Sequence, residues 1–445
     1  MRRTVAAFIL ICSALLVGWQ GLAQVPVTGA ANRAPPSTSG PPAASDILDF
    51  AGNSATGCAS LAACTSVTNS GGFAQTSTGT LTSFGANTLR RTDLGVLIED
   101  TATNICTQSQ TMDNAAWTLN DLTVSANATT APDGTATAEL FTDNSNNAVH
   151  RVFSATIAQT SGANYAMSVY VKGGTLRYVS LRAKITNSGP VYAWMTLDTT
   201  NGTITNNGAS ATYAVQALAS GWYRISIVYA TQDNNGVNLL LAGSDVSTAP
   251  GQAGPTAGGN IYVGSGQTFS AWGGQVEDNQ ANAPTSYITT TTTSVARTAD
   301  AISITGQAQT DLQLSAYSVV VKTNNVNFLI GPRLLDAAAG GTNRLMFIGS
   351  NTSLKSSSSD NTVLTATLGS AATYTGGAVK SGIAVDGTGR SLVANNGTVV
   401  SDAKTFSATG TPTLGGPSNY LNGYVGNLSI WNSKQSNANL ALDTQ

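Results

Sequence analysis

The chain has 445 residues and 41% hydrophobic content, room for two to three packed domains of about 150 residues each. Only 9% of residues are charged and the net charge is -2, against about 25% charged in an ordinary soluble domain. No basic field exists to hold nucleic acid phosphates. One histidine, His150, and three glutamates, Glu99, Glu139 and Glu277, leave acid–base and metal chemistry short of parts.

The chain begins like a secretory signal. Arg2 and Arg3 give a positive start, Val5 to Val17 is almost unbroken apolar sequence, and Gly21-Leu22-Ala23 supplies small residues for cleavage before Gln24. The apolar stretch is shorter than the ~20 residues a span needs, and no later segment is apolar enough to replace it. The expectation is a secreted or cell-surface protein, periplasmic or extracellular, with a signal peptide at 1–23 and a mature net charge of -4 (18 basic, 22 acidic). Residues 24–45, rich in Pro, Ala, Gly and Ser, read as an extended linker. Export permits disulfides. Cys58 and Cys64 bracket a five-residue loop and are expected to bridge, leaving Cys106 as a buried thiol.

From Asp46 onward, short apolar-alternating runs are separated by Asn, Gly, Asp and Ser clusters. Residues 46–100 form an N-terminal β segment. In 165–172, Tyr165, Met167, Val169 and Val171 share a face; in 223–229, Tyr223, Ile225 and Ile227 alternate with Arg224 and Ser226; Leu421 to Trp431 behaves alike. Turn signals such as Asn201-Gly202 and Asp386-Gly387 fall between these runs, the pattern of an all-β sandwich or barrel. A run of threonines at 289–293 marks a second boundary, and residues after Ser433 allow one short helix. The predicted fold is all-β: two antiparallel jelly-roll sandwiches in series behind the signal and linker, at 101–297 and 298–445.

Several phrases in order carry a resemblance: LDF at 48–50, GVLIEDTATN at 95–104, APDGTATA at 131–138, SGWYRI at 220–225, AWGGQVED at 271–278, SYI at 286–288, RTAD at 297–300 and LNGYVGNLSIWN at 421–432. The set resembles a group of phage tail-fibre, virion-surface and bacterial exported proteins. In that group a carbohydrate-binding-module-like jelly roll precedes a concanavalin A-like (laminin G-like) lectin/glucanase sandwich. The resemblance implies glycan or surface binding without an assigned reaction. The segment from Thr298, about 148 residues, is short for a complete concanavalin A-like domain.

Glycosidases of this fold use paired carboxylates, and the E-x-D-x-x-E spacing of laminarinase-like members is absent. Glu99-Asp100 and Glu277-Asp278 are adjacent and point to opposite faces of a strand. A Ser-His-Asp site would need His150, which reads as structural. For sugar binding, Tyr192 and Trp194 share one strand face, though large aromatics on a sandwich strand read first as core; Trp117 and Tyr178 are further aromatic candidates, with core packing again the alternative. Trp222 and Trp272 read as core, and Arg224 and Glu277 as a buried pairing between motifs. Asp133, Asp143 and Asp278 are candidate ligands for a structural calcium. The expected work is non-catalytic recognition of a polysaccharide or glycosylated surface. The rivals are a self-associating fibre or adhesive subunit, a homo-oligomer, and less favourably a glycoside hydrolase or lyase.

Overall fold

The computed structural model describes residues 41–445 except 186–192, 209–210, 232–233, 246–259, 279–282, 327–331, 337–343, 359, 370–372, 375–376, 407–409 and 417–419. The segment 1–23 expected to be a signal peptide and linker residues 24–40 therefore lie outside the described residues, as does Tyr192. Among the described residues no helix is long and apolar enough to cross a membrane.

Antiparallel strands dominate, and they pack as two sandwiches. In the central sandwich one sheet runs through Leu122–Thr129, Ala138–Asp143, Thr268–Asp278, Asn164–Gly173, Tyr223–Ala230 and Ala211–Ala217. Its partner sheet runs through Thr203–Asn207, Ala193–Asp198, Tyr178–Ile185, Val237–Ser244, Arg151–Ser154 and Trp117–Asn120. The period of two places Met167, Val169, Ile225 and Ile227 from one sheet against Val179, Leu181, Met195 and Leu241 from the other, all fully buried. The alternation read in 165–172 and 223–229 thus selects the core face.

The terminal sandwich draws on both ends of the chain. Its first sheet centres on Gly423–Trp431, which pairs with Asp46–Asp49, Gly95–Ile98 and Tyr317–Asn324. In its second sheet Thr65–Thr68 pairs with Ala301–Ile304. Leu48, Val96, Val319, Leu428 and Ile430 face Ile302, Leu335, Met346 and Leu354 in one core. Residues 46–100, whose place the sequence left open, complete this sandwich, so the central sandwich stands inside it along the chain. Gly95 makes that closure possible. Its φ is +120° and an added Cβ would collide with the Val425 carbonyl of the paired strand. The closing helix Asn437–Asp443 is capped by the Ser436 hydroxyl, and Leu440 covers Val320, Ala384 and Trp431 on the outer face.

Cys58 and Cys64 are bridged, with Cα atoms 6.2 Å apart. Cys106 is a free, fully buried thiol whose pKa burial pushes up to about 12.

Candidate functional site

The hairpin Gly72–Gln75/Leu81–Phe84 joins the two sandwiches. Successive strand side chains point to opposite faces, and this hairpin uses both. Phe73 packs on Tyr170, Trp272 and Tyr287 of the central sandwich, whereas Ala74 packs on Leu97 and Tyr424 of the terminal one. The Tyr424 hydroxyl accepts from Gln75 N at 2.9 Å and donates to Gln75 O at 3.0 Å. Trp222 and Trp272 lie in this aromatic cluster at 1% and 0% exposure, as core residues. Gly273, at φ +66°, sits where the strand registers shift; a Cβ there would approach the Tyr170 ring at 2.9 Å.

Beneath the joint lies a buried ion cluster. Arg90 pairs with Glu99 at 2.9 Å and with Asp300, and Arg297 reaches Glu99 at 3.4 Å and Asp300 at 3.6 Å. Ser286 donates to Glu99 through its amide (2.7 Å) and hydroxyl (2.6 Å). Burial alone would raise the Glu99 pKa. The Arg297 and Arg90 charges and the Ser286 hydrogen bonds outweigh it and hold Glu99 at about 2. The motifs at 95–104, 286–288 and 297–300 therefore converge on one electrostatic lock. Charged residues directly after the apolar run Val96-Leu97-Ile98, matched by one basic and one acidic residue in RTAD, were the sequence signal for it.

A cleft of about 520 Å³ opens along the same seam. Half-buried Phe73 contributes ring surface, with the rings of Tyr170, Tyr287 and Tyr424 buried behind it; Gln216 contributes an exposed polar group, and Arg224, Ser226, Ser286 and Asn422 more buried ones. The acid among its lining residues is Glu99, whose two oxygens are already bonded. Glu277 is fully buried and accepts from Thr285 N at 2.8 Å, from the Thr285 hydroxyl and from Gln275 Nε2 at 2.8 Å. Burial pushes its pKa up to about 7 against those hydrogen bonds. Arg224 and Glu277 form no direct ion pair. Arg224 donates instead to Ser168 Oγ at 3.0 Å and Thr285 O at 2.7 Å, so the expected pairing is bridged by Thr285.

The aromatic candidates separate. Trp117 is 3% exposed in the central core and donates to the Gln108 carbonyl at 3.0 Å, which leaves no face for a sugar. Trp194 is half-buried on the outer face of its sheet, opposite Arg182 and away from the inter-sheet core. Tyr178 shares that outer face, half-buried, with the Arg177 guanidinium 5.1 Å from its ring centre. His150 is buried with both ring nitrogens against carbonyls, Asp121 O at 2.7 Å and Tyr262 O at 3.2 Å.

The three aspartates do not fit a shared calcium. Asp143 binds the Tyr262 hydroxyl and the amides of Ser265 and Gln267 at one end of the strand Thr268–Asp278. Asp278 ends the other, roughly 30 Å away at about 3.3 Å per residue. Asp133 caps its own turn, accepting from the Thr135 amide and hydroxyl. Among the described residues no three His, Cys, Asp or Glu side chains gather as a metal site.

No protein-family model matches the chain, and no curated protein matches it in sequence. Solved structures give distant alignments. A Ruminococcus gnavus IT-sialidase CBM40 bound to α2,3-sialyllactose aligns over 31% of this chain and 88% of its own, at 16% identity and TM-score 0.27. A Trypanosoma rangeli sialidase in complex with the inhibitor DANA aligns over 68% of this chain and 60% of its own, at 11% identity and TM-score 0.26. At these scores neither alignment bears on the function of this chain.

Proposed function

We propose that this chain is an exported, non-catalytic protein that binds a polysaccharide or glycosylated surface. The observation that supports it is the seam cleft. The half-buried Phe73 ring and the exposed neutral amides of Gln216 and Asn325 line it, the pairing that C–H patches edged by hydroxyls require. The acid lining the cleft is committed to arginine and serine partners, which suits holding a ligand better than cleaving one. The resemblance of the ordered motifs to tail-fibre and exported lectin-like proteins points the same way. A glycan array probed with the mature chain tests the reading, run beside a reducing-sugar assay on each glycan retained. Retention without new reducing ends is expected. An empty array overturns glycan binding, and release of reducing ends overturns the non-catalytic assignment.

A further inference from the structure

Arg224 is the cation lining the seam cleft, and among the described residues it has no carboxylate partner. It is 9% exposed, its Nε has no hydrogen-bond partner, and its Nη2 meets only neutral oxygens. The guanidinium stands 5.4 Å from the Tyr170 ring centre. A buried charge left unpaired is costly, and a guanidinium fork fits a carboxylate or sulfate through two parallel hydrogen bonds. The other charges at the seam do not fill that role. Glu99 and Asp300 are matched by Arg90 and Arg297. Glu277, behind the cleft, feels the Arg224 charge but makes no hydrogen bond with it; Thr285 and Gln275 bind its oxygens, and burial outweighs these partners and pushes its pKa up to about 7. Tyr170 and Tyr424 are kept neutral by burial.

We propose that the seam cleft takes an anionic saccharide, with the carboxylate or sulfate of the sugar held by Arg224. This rests on the glycan-binding reading above and names its ligand class. Gln216 provides an independent handle. It is exposed, lines the cleft and lies directly across the strand pair from Arg224, within the ~5 Å at which cross-strand side chains meet. Gln216→Glu supplies the missing counterion from within the protein.

The test titrates the wild-type chain, Arg224→Met and Gln216→Glu with sodium glucuronate, glucose 6-sulfate and glucose at fixed ionic strength, reading amide chemical shifts. At least one acidic sugar should bind tenfold or more tightly than glucose, and each variant should remove that advantage. The two acids separate carboxylate from sulfate recognition. Gln216→Glu should also raise the melting temperature, so a misfolded Arg224→Met leaves the test intact. Equal binding of glucose, no binding of either acid, or an advantage that survives Gln216→Glu refutes the proposal. On the glycan array, retention of neutral glycans alone refutes the anionic ligand and leaves glycan binding standing; an empty array refutes the glycan reading itself.

Discussion

Replacing Glu99 with Gln is the sharpest probe of the lock between the sandwiches. The variant keeps the shape but removes one of two negative charges from a buried cluster that holds two arginines. Breaking a buried ion pair from one side costs about 3 to 5 kcal/mol. The pKa gives an independent figure. A fall from 4.5 to about 2 is worth about 3 kcal/mol at neutral pH. For a unit of this size each kcal/mol moves Tm by about 2 to 4 °C, so Glu99→Gln should lower Tm by roughly 6 to 20 °C at pH 7. Because the folded pKa is depressed, the stabilisation is full above about 4.5 and is lost as pH falls toward 2. The gap between wild type and variant should shrink to less than half by pH 3. Calorimetry of both proteins from pH 3 to pH 7 checks it. A drop under 2 °C at pH 7, or a gap that does not narrow in acid, refutes the claim that the cluster holds the seam.

Two further outcomes follow from burial. Asp46 is 1% exposed, and burial with the facing Asp311 carboxyl pushes its pKa up to about 6. A raised carboxylate pKa favours the folded state below about 3.8 and loses that advantage as pH rises past 6. Asp46→Asn should therefore raise Tm at pH 8 and leave it nearly unchanged at pH 4; equal shifts at both values refute the argument. Trp117→Ala should cost about 3 to 5 kcal/mol in chemical denaturation, the range for truncating a buried Trp. Trp194→Ala, on an outer face, should cost less than about 2 kcal/mol. Equal costs would put Trp194 in a core the strand alternation does not give it.

The strands that the sequence revealed most clearly are those with one buried face, because burial imposes the period of two. Asn164–Gly173, Tyr223–Ala230 and Gly423–Trp431 are the cases. Trp222 and Trp272 were legible as core from their place in the shared motifs, and the Cys58–Cys64 bridge from the short loop between them. The alternation says nothing about which sheet a strand enters, and residues 46–100 illustrate that. Their partners Ala301–Ile304 and Gly423–Trp431 lie more than two hundred residues away, and no local pattern records such a pairing. The shortness of the segment from Thr298 was the trace it left. The site was less legible. Arg224 stood out as a charged residue within a shared motif, but Gln216, Phe73 and Tyr424 reach the cleft only through contacts between the two sandwiches. The aspartates were singled out by loop composition, which carries no information about distance.

The strand Gly423–Trp431 sits inside its sheet, beside the early segments Asp46–Asp49 and Gly95–Ile98 and the later strand Tyr317–Asn324. This fixes an order of assembly. As the polypeptide emerges, Asp46–Asp49 and Gly95–Ile98 appear first and must wait, with open edges, for almost the whole chain to follow. The strands between 117 and 278, apart from the pairing of Glu277 with Asn104, find their partners among themselves and can close earlier, before the last sheet exists. Closure of the terminal sandwich is then a late event of very long sequence separation, the slow and aggregation-exposed kind of pairing. A premature stop anywhere before residue 423 would leave the early strands with no central strand to receive them, so the last few dozen residues decide whether the first ones fold at all.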